Sequence, residues 1–244
     1  MEQTRQKRSL RKKLLLAVGT MLFAAVGGFL VWASFYYPAE DTALAVMRTG
    51  SGISAEDDLV VLEPSYPTDT GFIFYPGAKV EAEAYLPILE KIRQECGVTC
   101  ILVKMPLRMA IFNSDAAADA MARFPEISRW YVGGHSMGGA MASSFASKHE
   151  KDVAGLVLMG AYLYGDFPPA KTLTVYGTFN SDLEKKIDYT ENIVVIEGGN
   201  HAQFGNYGRQ KGDPDATITA EQQQEITVKA VAEFLRAGKE GATP

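Results

Sequence analysis

"YVGGHSMGGAMASSFA", running from Tyr131 to Ala146, is the stretch on which the reading of this chain turns. Within it, Gly134-His135-Ser136-Met137-Gly138 fits the pattern G-x-S-x-G. So short a pattern arises by chance in a chain with 23 glycines, so its surroundings must decide what it means. Upstream, "RWYVGGHS" (129–136) reads as a strand. Downstream, Met137 to about Lys148 reads as a helix of small residues. Ser136 therefore falls where a strand gives way to a helix, the context in which a serine sits on a sharp turn with its hydroxyl exposed. A serine that merely caps an ordinary helix does not need glycine on both sides. Ser136 is read as a nucleophile, with Gly134 and Gly138 letting strand and helix approach closely. The N–H of Met137, at the start of the helix, is expected to face a developing oxyanion.

Outward from this point the chain alternates between two periodicities. "DLVVLEP" (58–64), "GFIFYPG" (71–77), "VTCILVKMP" (98–106), "VAGLVLMG" (153–160), "TLTVYG" (172–177) and "NIVVIEGG" (192–199) are short apolar runs bounded by turn residues, and read as strands. Between them, residues 81–95 place Ala84, Tyr85, Ile88, Leu89 and Ile92 on one helical face. Ser114 is a candidate cap for a helix through "DAAADAMARF", and a last helix spans about 220–237. Near-continuous Val, Ile and Leu runs fit strands buried on both faces of a mostly parallel sheet. Alternating strand and helix predicts an α/β fold with a doubly wound, mostly parallel sheet.

A serine hydroxyl needs a base, and the chain has three histidines. His135 lies inside the motif and is directed away from its neighbour's hydroxyl, leaving it packing or hydrogen bonding beside the turn. His149 lies about three turns along the following helix, where a cation suits the helix C-terminus. His201, in the loop "IEGGNHAQFG" after the last strand, remains as the expected general base. Asp182, in "TVYGTFNSDLEKK", is the expected third member that orients the imidazole, with Asp188 and Glu184 as rivals. The order Ser136, Asp182, His201 matches a nucleophile on a strand–turn–helix junction.

Charge and hydropathy divide the chain. Residues 1–13 carry six basic residues and one acid, and read as a cytoplasmic tail. Leu14 to Tyr37 is uncharged and, at 24 residues, long enough to cross a bilayer. It is read as a signal-anchor that leaves the catalytic domain outside the cytoplasm, in preference to a cleaved signal peptide or a core helix. Residues 38–57 are expected as a linker and first strand, and 58–244 as the catalytic domain. After residue 13 the chain holds 18 basic and 28 acidic residues, a net charge of −10, which argues against nucleic-acid binding. Cys96 and Cys100 are spaced neither for redox chemistry nor for zinc; outside the cytoplasm they could pair, and two half-buried thiols are read in preference to a disulfide. No metal cluster or dinucleotide fingerprint is present, so no cofactor is expected. Oligomeric state is not readable.

With "YPGA", "GHSMGG" and "GGNHAQFG" in this order across about residues 58–237, the chain resembles the α/β-hydrolases. It is similar to a compact bacterial group near the dienelactone-hydrolase-like branch, whose usual nucleophile is cysteine where this chain has Ser136. The resemblance implies a second oxyanion donor in the loop "YPGAKV". That donor is Ala78, with Gly77 and Lys79 as alternatives and Tyr75 and Pro76 at the mouth. In many relatives the acid stands three residues beyond the glycine that ends its strand. Counted from Gly177, that position is Asn180, an alternative to Asp182 for orienting His201. "AYLYGDFPPAK" (161–171) is too short for a lid domain, so an open site rimmed by Tyr162, Leu163, Tyr164 and Phe167 is expected. The resemblance implies a serine hydrolase that cleaves an acyl ester-type bond of a small-molecule substrate through an acyl-enzyme, and the N-terminal segment makes it membrane-anchored; the acyl group is not readable. An acyltransferase using the same residues, or a silent tethered binding domain, are the alternatives.

Overall fold

The computed structural model of the protein describes residues 2–240. The chain divides between Tyr36 and Tyr37 into two units. The first contains one helix, α1 (Glu2–Ser34), so the basic tail and the apolar run are continuous. Its segment Arg11–Ser34 has a mean hydropathy of 2.4 and none of that window is buried. Length and composition of this kind serve a membrane span or a signal sequence. The helix ends three residues before the expected end of the span. Tyr37 belongs to the second unit, where its N–H donates to Lys79 O at 2.7 Å and its ring packs on Tyr207.

The second unit is an eight-stranded sheet with helices on both faces. Its elements in chain order are α2 (Asp41–Thr49), β1 (Ile53–Ala55), β2 (Leu59–Leu62), β3 (Thr70–Tyr75), α3 (Leu86–Cys96), β4 (Thr99–Val103), α4 (Ala116–Arg123), β5 (Arg129–His135), α5 (Met137–Lys148), β6 (Val153–Met159), β7 (Thr172–Gly177), α6 (Ser181–Glu184), β8 (Ile193–Ile196) and α7 (Ala220–Glu240). The strand order is β1-β2-β4-β3-β5-β6-β7-β8. β2 runs antiparallel to β1 and β4, and the remaining pairs are parallel. The segment 38–57, expected as linker and first strand, holds α2 and β1, and Ala43 is fully buried.

Strand alternation builds two cores. Phe72, Phe74, Cys100 and Leu102 face α3 and α7, with Ile88, Ile92, Val228 and Val231 opposite. Ile73, Tyr75, Ile101 and Val103 face α4 and α5, with Ala117, Ala120, Ala142 and Phe145 opposite. A period of two in each strand therefore feeds both faces, the doubly wound arrangement. α3 stops at Gly97, whose left-handed φ of 63° lets its N–H return to Arg93 O at 3.0 Å. At α4, Ser114 does not cap through its side chain. The buried Tyr75 hydroxyl does the work, accepting from Ala117 N–H at 2.7 Å and donating to Ser114 O at 2.9 Å. Phe167, expected at the rim, is 1% exposed and lies in the second core. Cys96 and Cys100 are unpaired, and burial pushes both thiols up from their ordinary range.

Candidate active site

The parallel strands β3, β5, β6 and β7 end at one edge of the sheet, where open α/β sheets gather their ligand-binding loops. β5 delivers Ser136 there. Its backbone adopts φ 55° and ψ −124°, a conformation that L-residues rarely take. Such a residue costs on the order of 1–3 kcal/mol and persists only where neighbours over-determine it. Ser136 N–H donates to Met159 O, and Ala140 N–H to Ser136 O, each at 3.0 Å.

The flanking glycines have a steric reason. A Cβ on Gly138 would lie 2.1 Å from Tyr75 O and 2.3 Å from Pro76 O. One on Gly134 would lie 2.6 Å from the Gly138 carbonyl carbon and from Tyr75 O. Backbone meets backbone at both positions, so no side chain can move aside. The same closeness brings the loop after β3 against the start of α5. Among the described residues, the N–H groups of Ala78 and Met137 have no hydrogen-bond partner. Lys79 takes a left-handed φ of 59° and donates to Arg108 O at 2.8 Å, which turns the loop. Gly77 N–H donates instead to the Tyr85 hydroxyl at 3.1 Å.

His201 follows β8 and shares with Ser136 a cavity of about 290 Å³, walled also by Met137, Ala140, Gly160, Tyr162, Asn180 and Leu183. Gly160, at φ 54°, leaves room for both imidazoles, since a Cβ there would lie 3.0 Å from His201 Nδ1. Tyr162 lies at this wall with Lys186 Nζ 5.2 Å from its ring centre, and Tyr164 is exposed. Leu163 packs against the second core.

The residue on His201 Nδ1 is Asn180, whose Nδ2 lies 3.0 Å away. Asp182 lines the same cavity, but its carboxylate turns outward to the surface. Its side chain is 90% exposed and pairs with Lys185 at 3.0 Å, which holds its carboxyl below the usual range. The cause is local. Asn180 O accepts from Leu183 N–H as α6 begins, so Leu183 turns inward and Asp182 outward. Glu184 and Asp188 are exposed as well.

His135 is fully buried, and its two ring nitrogens tie the site together. Nδ1 lies 2.8 Å from the Tyr85 hydroxyl and Nε2 lies 2.9 Å from His201 O. A carbonyl only accepts, so Nε2 carries the proton. Burial and the neighbouring His201 push the His135 pKa down, leaving Nδ1 bare to accept from Tyr85. Tyr85, donating there, accepts from Gly77. The chain of bonds thus joins the loop after β3 to the histidine loop. His149 packs its ring on Phe145 at 4.3 Å and lies 3.7 Å from Asp152, away from the site.

Sequence reasoning missed Asp213. Its two carboxylate oxygens accept from the N–H of His201 at 3.2 Å and of Ala202 at 2.7 Å. Burial pushes the His201 pKa down, and Asp213 opposes that shift. The signal lay in "KGDPD", a turn-rich acidic stretch that a search limited to residues before His201 does not reach. Among the described residues no group of three or more His, Cys, Asp or Glu is arranged to hold a metal.

Residues 71–225 match the model of the alpha/beta hydrolase family, and the chain belongs to that family. No curated protein matches the chain in sequence. Among solved structures it is similar to Est1E from Butyrivibrio proteoclasticus, at 15% identity and TM-score 0.51, covering 78% of this chain and 100% of that one. It is also similar to carboxyl esterase 2 from the mycorrhizal fungus Tuber melanosporum, at 12% identity and TM-score 0.53, covering 82% and 91%. A third likeness is to a putative lipase from Acinetobacter baumannii AYE, at 12% identity and TM-score 0.54, covering 82% and 96%.

Proposed function

We propose that the protein is a membrane-anchored serine hydrolase that cleaves small acyl esters through an acyl-enzyme on Ser136. The observation that carries this reading is the strained backbone of Ser136, held at a strand–helix junction in the same cavity as His201. An ordinary helix cap has no reason to store that strain. The esterases and the lipase with which the chain shares its fold point in the same direction. The motifs "YPGA", "GHSMGG" and "GGNHAQFG" support kinship with the dienelactone-hydrolase-like branch.

His201 Nε2 takes the hydroxyl proton as Ser136 Oγ bonds the acyl carbon, and the carbonyl π pair moves onto oxygen. The N–H groups of Ala78 and Met137 bind that oxyanion. Its collapse breaks the bond to the alcohol, which leaves with the proton from Nε2. Water then attacks the acyl-enzyme, giving its proton to Nε2. The second collapse returns that proton to Ser136 and releases the acid.

In this reading Asn180, rather than Asp182, orients His201. Base catalysis needs the proton on Nδ1, and therefore an acceptor facing it. A half-turn of the amide presents Oδ1 in place of Nδ2, and Oδ1 has no other partner among the described residues. The apolar wall of Ala140, Ala161 and Leu183 and a volume of about 290 Å³ suit a short acyl group. The uncharged run of α1 that begins at Leu14 is read as an uncleaved anchor, with the six basic residues before it keeping the N-terminus cytoplasmic.

A panel of p-nitrophenyl esters of graded acyl length tests the activity. Turnover should peak at short chains and vanish in Ser136→Ala. Acyl transfer to added alcohols in preference to water would replace hydrolysis by the acyltransferase reading.

A further inference from the structure

A base that becomes a cation in a half-buried site is helped by a compensating charge, and the partner on Nδ1 cannot supply it. Asn180 is neutral, and Asp182 is spent on Lys185 at the surface. We propose that Asp213 is the positioning residue that stabilises the imidazolium of His201, acting through the backbone of the histidine loop. The inference rests on the reading of His201 as the base.

Three observations carry it. First, both carboxylate oxygens of Asp213 are committed to consecutive N–H groups, those of His201 and Ala202. This fixes the charge against the residue that must ionise. Second, the loop bearing Asp213 is clamped from several sides. Asn200 Nδ2 donates to Pro214 O at 2.8 Å, and Asp213 N–H donates to Gln210 O at 3.1 Å. Thr217 N–H donates to Gly198 O at 2.9 Å. Asn200 is itself buried and bonded through its backbone to the Gln223 amide in both directions. Third, among the described residues no basic side chain pairs with Asp213, whereas its neighbour Asp215 pairs with Arg209.

The other charged or titratable groups around His201 do not fill this role. The His135 ring lies 4.5 Å from the His201 ring and is held neutral by burial. Asp182, paired with Lys185, and the exposed Lys186 line the serine side of the ring. Lys211 lines the side shared with Asp213, and the buried phenol of Tyr207 lies behind it, its ionisation pushed up by burial. The lysines oppose an imidazolium, so the carboxylate of Asp213 carries the compensation.

The test is the pH profile of kcat/KM for an acyl ester, measured on the full chain in detergent. The acid limb reports His201 in the free enzyme. In Asp213→Asn the limb should move to lower pH by about one unit, because a nearby negative charge is gone. The plateau of kcat should fall about tenfold or more, with KM little changed. Asp213→Glu keeps the charge, and its limb should stay near the wild-type position even if kcat falls. Adding Asn180→Asp to Asp213→Asn should move the limb back up and restore most of the lost kcat.

A merely structural clamp predicts a lower plateau with an unmoved limb in Asp213→Asn, or equal limb shifts in the Asn and Glu variants. Either result overturns the inference. Wild-type Ser136 that resists a fluorophosphonate would remove the underlying reading as well. A labelled Ser136 with an unmoved limb removes this inference alone.

Discussion

Asn180 Nδ2 lies 3.0 Å from His201 Nδ1, while Asp182, two residues on, turns its carboxylate to Lys185 at the surface. In the proposed mechanism, orientation of the imidazole therefore belongs to an amide. Asn180→Ala should lower kcat by about a hundredfold, since an untethered imidazole loses both its tautomer and its aim. Asp182→Asn should leave kcat within about twofold of wild type, as an exposed ion pair contributes little. Steady-state kinetics on a short acyl ester separates the two. Equal losses in both variants would contradict the assignment.

Gly138 is required for backbone contact, not for flexibility. Gly138→Ala would set a Cβ 2.1 Å from Tyr75 O, with no side chain able to yield. We expect a loss of about 3 kcal/mol or more in urea unfolding, together with loss of activity, because the loop carrying Ala78 must move. Gly97→Asn, where φ is 63° and a Cβ meets nothing within 4 Å, should be far milder.

The Tyr85 hydroxyl accepts from Gly77 and donates to His135, all within the buried core. Tyr85→Phe leaves one buried donor and one buried acceptor unsatisfied, at a cost of about 2–4 kcal/mol. Because Gly77 adjoins Ala78, kcat should fall more than KM changes. Thermal unfolding and kinetics on the same variant test both parts.

Burial pushes the pKa values of His135 and His201 down, so below about pH 6.5 the unfolded chain binds more protons than the folded one. Stability then rises with pH in that range, and is lost as pH falls through about 6.5, by up to about 1.4 kcal/mol per unit for each histidine. The urea midpoint should be nearly level from pH 8 to 7 and decline toward pH 5. A midpoint unchanged across that interval would contradict neutral, buried imidazoles.

Residues 37–244 hold two hydrophobic cores of their own. A chain lacking residues 1–36 should fold and keep its esterase turnover while moving from the membrane to the soluble fraction. Retention of the truncated chain in washed membranes would contradict anchoring by α1.

Much of this was legible before any coordinates. β7 occupies 172–177 as its apolar run predicts, and β5 and α5 meet at Ser136, because strands buried on both faces read as unbroken apolar runs. α2 was not legible. Its nine residues bury only Ala43, too weak an apolar stripe to stand out from a linker. Phe167 reads as a loop aromatic until the packing of the second core is known. The choice between the acid candidates was not legible for a tertiary reason. Whether Asn180 or Asp182 faces His201 depends on where α6 begins, and Asp213 reaches the histidine loop only through the fold of the segment that follows it.

The nucleophile itself is tested most directly by treating the folded full-length chain with a fluorophosphonate and mapping the adduct by mass spectrometry. We predict one adduct, on Ser136, absent from Ser136→Ala and formed at least about a hundredfold more slowly in His201→Ala. A folded chain that takes no label, or a label that persists in Ser136→Ala, would contradict the account.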